Sequence, residues 1–191
     1  MMQMQRPLAL LALVAAALLA GCQSGRGVYQ TPPESGRDPI KAQKLTQEAA
    51  KSMPKDPAKA ERLLREALTA DLFHGPAHNN LGVIYLNEGK LYEASGEFEW
   101  ARKLMPGHTD PRVNLAATLE RAGRTDEALA NYESALDVAP ESIAAMQGMV
   151  RLQLRTGRTD VRTRTMLQEI ALRGETTQWR QWAQGRLART P

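Results

Sequence analysis

Small, large apolar and turn-forming residues recur along this chain at a spacing of 34. The repetition is clearest between residues 75 and 142, which align on themselves when shifted by that distance. The coinciding pairs are Leu81 and Leu115, Gly82 and Ala116, Tyr85 and Leu119, Gly89 and Gly123, Ala94 and Ala128, Phe98 and Tyr132, Ala101 and Ala135, and Pro106 and Pro140. Matches at both small and turn positions indicate an internal structural repeat.

Each unit of this pattern predicts two antiparallel helices joined by a short turn. Gly82 and Ala94 stand where a neighbouring helix must approach closely, and the large residues fill the volume between the helices. Gly89 is expected to end the first helix, because glycine tolerates a left-handed backbone. Pro106 closes the second helix, since proline cannot continue it. One hairpin cannot bury its apolar face alone, so the units must stack.

The pattern continues with lower fidelity on both sides, into residues 41–74 and 143–176. Matching residues are Ala49, Ala60, Leu64 and Ala67 in the first segment and Met149, Gly157 and Met166 in the second. The shift of 34 places Arg162 and Glu169 where small residues are expected. We therefore interpret 143–176 as a degenerate fourth unit or a cap. A last helix is predicted over 176–187, with Trp179, Trp182 and Ala183 on one face.

This pattern resembles the tetratricopeptide repeat (TPR). The resemblance implies an all-α fold, a solenoid of antiparallel helical hairpins with three to four units and a C-terminal capping helix. The domain would cover residues 39–191. Its predicted units are about 41–74, 75–108, 109–142 and the degenerate 143–176, with the cap at 177–191.

Residues 1–21 have the features of an export signal, with Arg6 before an apolar run that is too short to span a bilayer. The following Leu19-Ala20-Gly21-Cys22 resembles the bacterial lipoprotein box, which implies cleavage before Cys22 and lipidation of that residue. The alternative is an ordinary secretory signal with a chance cysteine. Residues 22–38 are rich in Gly, Pro and Ser and are expected to form a flexible tether. The residue after Cys22 is Gln23 and not Asp, which by resemblance to the sorting rule of enteric bacteria implies the outer membrane, with the protein facing the periplasm.

Charge is distributed unevenly along the repeats. Residues 75–142 hold 6 basic and 11 acidic residues, whereas residues 143–191 hold 9 basic residues, all arginine, and 3 acidic residues. Such an arginine-rich end suits an anionic membrane surface or an acidic protein. Export to the periplasm argues against nucleic acid as the partner.

Candidate chemistry in the chain is sparse. His74 and His78 are four residues apart, but Gly75 and Pro76 interrupt a helix between them, and His78 takes the position of a bulky residue that is partly buried. We therefore predict no metal and no cofactor. No nucleophile lies in a recognisable catalytic motif, so we expect no enzyme activity.

In TPR proteins the first helix of each unit lines a concave groove in which ligand peptides bind. That resemblance implies a partner-binding groove that is apolar in its centre and has arginine at one end. Its predicted residues are Asn79, Val83, Asn87, Val113, Ala117, Arg121, Gln147, Arg151 and Arg155, with Leu86, Glu120 and Leu154 beside them. The alternative is that Arg121, Arg151 and Arg155 only solvate the surface.

The architecture is similar to TPR lipoproteins of pilus biogenesis, both the pilotins that help to assemble secretins for type IV pili and the lipoproteins of Tad/Flp pili. This similarity implies a non-catalytic scaffold for protein–protein interaction. The scaffold would be lipid-anchored in the outer membrane and would bind secretin or pilus proteins. A second hypothesis is an adaptor that recruits peptidoglycan hydrolases or synthases. A third is an enzyme with an unrecognised site.

Overall fold

A computed structural model describes residues 36–189 of the chain. Within these residues nine α-helices follow one another without a β-strand, which confirms the predicted all-α class. Their bounds are α1 Pro39–Ser52, α2 Pro57–Ala70, α3 Gly75–Asn87, α4 Leu91–Leu104, α5 Asp110–Arg121, α6 Thr125–Val138, α7 Ile143–Thr156, α8 Val161–Arg173 and α9 Thr177–Leu187. The predicted export signal, Cys22 and the tether as far as residue 35 lie outside the described residues.

The helices pack as consecutive hairpins, α1 with α2, α3 with α4, α5 with α6 and α7 with α8. The second helix of each hairpin contacts the first helix of the next hairpin, so the hairpins stack in chain order. The first helices also contact one another, α1 with α3, α3 with α5 and α5 with α7. The stack is the solenoid that the repeat pattern predicts, and its first helices form a continuous row.

Local sequence explains where the helices begin and end. Asp38 and Asp56 precede α1 and α2, and the carboxylate of each accepts a hydrogen bond from the backbone N–H three residues later, at 2.8 and 2.9 Å. A proline follows each aspartate, where its fixed φ suits the first helical position. Gly89, Gly123 and Gly157 follow α3, α5 and α7 with φ of 78°, 76° and 69°. The left-handed glycine at the end of the first helix is thus confirmed.

Small residues of the repeat lie where helices approach most closely. Ala94 and Ala128 are completely buried. A Cβ atom built on Gly82 would lie only 2.7 Å from Cε1 of the Phe98 ring. Because Phe98 is itself fully buried, a larger residue at position 82 would push its ring against a packed interior. The small residue of the first helix is therefore required by the aromatic residue of the second.

Residues 143–176 form a hairpin, but the register of α8 differs from the prediction. The buried residues of α8 are Thr163, Met166, Leu167 and Ile170, with the same spacing as Ala94, Glu97, Phe98 and Ala101 on α4. The expectation that Arg162 and Glu169 take the small-residue positions was wrong. The turn before α8 spans residues 157–160, one residue more than the turns 88–90 and 122–124. This extra residue moves Arg162 to the surface.

The last helix, α9, packs on α8. Ala183 is buried, while Trp179 and Trp182 are partly exposed and meet edge to face with ring centroids 5.2 Å apart. Over residues 36–189, no helix has both the length and the apolar character that crossing a membrane requires.

Candidate partner-binding groove

The nine predicted groove residues lie on α3, α5 and α7, the first helices of units two to four. They form three rows at equivalent positions of these helices, namely Asn79, Val113 and Gln147, then Val83, Ala117 and Arg151, then Asn87, Arg121 and Arg155. Eight of the nine are at least partly exposed, and Gln147 is buried. Because the first helices contact one another in order, the rows cross the unit boundaries. We call this surface the first-helix face.

One section of the first-helix face is neutral. The Nδ2 atom of Asn114 donates a hydrogen bond of 3.1 Å to Oδ1 of Asn79, which bridges α5 and α3. Val83 and Ala117 lie in the next row and are partly exposed. This section offers amide groups and small apolar side chains to a ligand.

The other section is organised around the carboxylate of Glu120, whose side chain is only 7% exposed. Its Oε2 atom lies 2.8 Å from Nη2 of Arg151, and its Oε1 atom lies 3.1 Å from Nη1 of Arg155. The hydroxyl of Tyr132 donates to the same Oε2 at 3.2 Å. One carboxylate on α5 therefore holds two arginines of α7, across the boundary between units three and four.

Burial and the Glu120 charge both act on the groups of this network. Burial of the phenol, followed by the nearby charge of Glu120, raises the pKa of Tyr132 far above its usual value. Burial works to lower the pKa of Arg151, but the hydrogen bond that Arg151 donates to Glu120 and the Glu120 charge outweigh burial and raise that pKa. The raised pKa values keep the Tyr132 phenol uncharged and the Arg151 guanidinium charged at neutral pH.

Arg121 joins the same section from α5. Its Nη1 atom donates a hydrogen bond of 2.6 Å to the backbone carbonyl of Leu86, near the end of α3. A cation suits this position, because the last carbonyls of a helix carry partial negative charge. The carbonyl does not neutralise the guanidinium, so Arg121 adds a positive charge to the two arginines that Glu120 holds.

Gln147 lies one helical turn before Arg151 on α7 and is 6% exposed. Among the described residues its buried Nε2 atom has no hydrogen-bond acceptor. Gln147 was predicted to line the groove. In the structure its side chain is buried, beneath the accessible layer of the first-helix face.

Other arginines of the basic end pair with the acidic middle of the chain. Arg162 on α8 makes two hydrogen bonds to the Glu133 carboxylate on α6, at 2.8 and 2.6 Å. Arg158 pairs with Asp126. These ion pairs between the basic end and the acidic middle offset part of the charge imbalance in the sequence. Fewer arginines are therefore left for the predicted contact with an anionic partner.

Gly75 and Pro76 begin α3, so His74 precedes that helix and His78 lies within it. His78 is completely buried, which corrects the expectation of partial burial. Its Nε2 atom lies 2.8 Å from the carbonyl of Leu72, its Nδ1 atom lies 2.6 Å from Glu97, and its ring stacks on Trp100. Residues 36–189 contain no group of three or more His, Cys, Asp or Glu side chains placed to hold a metal ion.

Sequence reasoning missed the partners of these polar groups, although a signal exists. Glu120 precedes Arg151 by 31 residues and Arg155 by 35, and Leu86 precedes Arg121 by 35. These separations approximate one repeat, the distance that brings equivalent helices together. The separation of 19 between His78 and Glu97 is close to half a repeat, which brings the two helices of one hairpin together. Oppositely charged residues at these separations are candidate contacts.

Stacked helical hairpins with a row of first helices define a class of repeat scaffold. The chain belongs to the Protein kinase G tetratricopeptide repeat family, which it matches over residues 43–185. No curated protein matches the chain. Repeat domains of this fold are generally non-catalytic scaffolds for protein–protein interaction.

Solved structures of other proteins share this fold. PilF of Pseudomonas aeruginosa is 21% identical with a TM-score of 0.70, over 80% of this chain and 69% of that chain. The first TPR of Spaghetti (RPAP3), bound to the HSP90 peptide SRMEEVD, is 19% identical with a TM-score of 0.60, over 64% of this chain and 98% of that one. An O-GlcNAc transferase of Thermobaculum terrenum is 20% identical with a TM-score of 0.64, over 75% of this chain but only 27% of the enzyme. At these identities the likeness shows the fold alone.

Proposed function

We propose that this protein is a non-catalytic scaffold that binds a segment of a partner protein on the first-helix face. The observation that carries the proposal is the continuity of this face across α3, α5 and α7, with a neutral section beside a basic section. A ligand laid across the face contacts several units at once. The peptide bound to the TPR of RPAP3 supports this use of the fold.

The cellular setting that we propose is the periplasmic side of the bacterial outer membrane. Cys22 carries the lipid anchor, residues 22–38 act as a tether, and the repeats bind secretin or pilus proteins during their assembly. The lipoprotein-like sequence around Cys22 supports the anchor. The similarity of the fold to PilF supports the direction toward pilus assembly.

A matched pair of variants tests binding through the first-helix face. Val83 lies on that face, whereas Val161 is 93% exposed at the start of α8. The full chain, Val83→Arg and Val161→Arg are tagged at the C-terminus, crosslinked in cells of the source bacterium and purified for mass spectrometry. We expect secretin or pilus components with the full chain and Val161→Arg, and their loss with Val83→Arg, at equal helicity by circular dichroism.

Equal recovery of partners by both variants would move the binding surface away from the first-helix face. Recovery of peptidoglycan hydrolases or synthases in place of pilus components would replace the pilus proposal with the adaptor hypothesis. Turnover of cell-wall fragments by the purified chain would contradict a non-catalytic role.

The anchor has its own test. Cys22→Ser should prevent lipidation and release the protein from the membrane fraction, because acyl chains each contribute about 0.8 kcal/mol per buried CH₂ to membrane binding. Fractionation of wild type and variant measures this directly. Unchanged membrane association of the variant would contradict the proposed anchor.

A further inference from the structure

We propose that the basic section of the first-helix face, formed by Arg121, Arg151 and Arg155 around Glu120, binds an acidic peptide segment of the partner protein. The inference rests on the proposed function and specifies the chemistry of its ligand. It depends on the charge of this section, on the accessibility of its arginines and on the apolar residues among them.

The section carries more positive charge than it neutralises. Both oxygens of Glu120 are occupied, Oε2 by Arg151 and Tyr132 and Oε1 by Arg155. Arg121 donates to a neutral carbonyl. Three guanidinium groups and one carboxylate leave two excess positive charges on neighbouring turns of α5 and α7.

The arginine side chains are accessible to a ligand. Those of Arg151 and Arg155 are 45% and 56% exposed, and Arg121 is exposed. A guanidinium group has five N–H donors, and Arg155 makes its contact with Glu120 through Nη1. The remaining donors are suited to the planar oxygen pair of a carboxylate. Glu120 holds two of the guanidinium groups in place before a ligand arrives, which reduces the ordering that binding requires.

Partly exposed apolar residues close to the arginines in the chain and at their contacts favour a peptide over a phosphate backbone or a membrane surface. Leu154 precedes Arg155 directly, Leu86 supplies the carbonyl that binds Arg121, and both leucines are partly exposed. The buried carboxylate of Glu120 also repels a continuous line of phosphates. The ligand that matches this section combines acidic residues with an apolar residue.

Fluorescence anisotropy with the full chain tests the proposal. The probe is a labelled peptide in which glutamates flank a central leucine, and its partner peptide has glutamine in place of every glutamate. We expect the acidic peptide to bind about tenfold more tightly than the amide peptide, as charge-assisted hydrogen bonds predict. Its affinity should fall steeply as salt rises.

Two arginine variants separate a role in this section from a general effect of charge. Arg155 and Arg162 each pair with a glutamate of the preceding unit, and their side chains are 56% and 53% exposed. Arg155→Gln should weaken binding of the acidic peptide about fivefold or more, and Arg162→Gln should change it less than about twofold.

Equal affinity for the acidic and amide peptides would overturn the proposal, as would equal losses in Arg155→Gln and Arg162→Gln. Tighter binding of oligodeoxythymidylate or of vesicles containing phosphatidylglycerol through the same arginines would also overturn it, in favour of a nucleic acid or a membrane. If Val83→Arg abolishes partner capture but neither peptide binds, the proposal of an acidic ligand is contradicted while the proposed scaffold function stands. If Val83→Arg and Val161→Arg both keep their partners but Arg155→Gln loses the acidic peptide, partner capture does not need the neutral section around Val83, and the acidic-peptide site at the arginines stands.

Discussion

Hydrogen bonds to uncharged acceptors join units two and three, whereas ion pairs join units three and four. Across the first boundary, Asn114 bonds to Asn79 and Arg121 bonds to a backbone carbonyl. Across the second boundary, Glu120 holds two arginines, Arg158 pairs with Asp126, and Arg162 pairs with Glu133. The divergent fourth unit is thus attached to unit three by contacts that depend more on charge than the contacts between units two and three.

Some of the charges at the second boundary also belong to the proposed binding section. Arg151 and Arg155 attach α7 to α5 and stand on the first-helix face. Replacing both with glutamate would place two further carboxylates beside buried Glu120 and disturb the fold. Single neutral substitutions are therefore the sharper probe of binding.

The largest expected effect concerns packing, which both boundaries share. Ala94→Arg and Ala128→Arg introduce a long charged side chain at completely buried positions of α4 and α6. Each should lower the free energy of unfolding by about 3 kcal/mol or more. Ala130→Arg, at an exposed position of α6, is the matched control and should have little effect. Urea unfolding measures all three, and an unchanged midpoint for Ala128→Arg would contradict the packing described for α6.

An intermediate effect on the free energy of unfolding is expected at Glu120, whose ion pairs lie at the boundary between units three and four. Glu120→Gln leaves Arg151 and Arg155 without their carboxylate and should cost about 1–2 kcal/mol, less than a fully buried pair because the arginines are half exposed. The loss should shrink in about 1 M salt, which already screens the pairs. Asn79→Ala at the neutral boundary is the control, and its effect should not depend on salt. The same salt response in both variants would remove the distinction between the boundaries.

The smallest effect concerns the first unit, where the buried carboxylate of Asp71 pairs with Arg37. Burial works to raise the pKa of Asp71, but hydrogen bonds from Arg37 and the Phe73 backbone, with the Arg37 charge, lower it below its usual value. A lowered folded-state pKa stabilises the fold above the unfolded-state pKa, and the stabilisation disappears as pH falls through the folded-state pKa. Stability should therefore fall as the pH drops below the ordinary aspartate pKa of about 4, and it should fall less in Asp71→Asn. Unfolding at a series of acid pH values measures the difference, and identical profiles would assign the acid sensitivity to other groups.

The hairpin fold could be predicted because its determinants are local and repeat at a constant spacing. Gly89 and Gly123 mark helix ends by their own backbone preference, and the small residues mark close helix contacts. The register of α8 could not be obtained in the same way, because one additional residue in the turn 157–160 breaks the constant shift. The burial of Thr163 and Ile170 shows that packing, and not the spacing of 34, determines that register.

The positions on the first-helix face followed from the repeat, but their partners did not. Arg151 and Arg155 could be placed on α7, while their attachment to Glu120 depends on the side-chain directions of two different helices. His78 shows the same limit. The position of His78 in the repeat indicated a side chain that fills space between helices. Its hydrogen bond to Glu97 depends on how α3 packs against α4, which the repeat does not specify.

Hydrogen exchange of the full chain, measured by mass spectrometry at about 0.1 M and about 1 M NaCl, tests most directly whether charge attaches the last unit. Faster exchange in α7 and α8 at the higher salt concentration, with little change in α3 to α6, is the expected result. It would show that unit four opens separately when its ion pairs to Glu120, Asp126 and Glu133 are screened. An equal response of all these helices, or none in α7 and α8, would contradict the account.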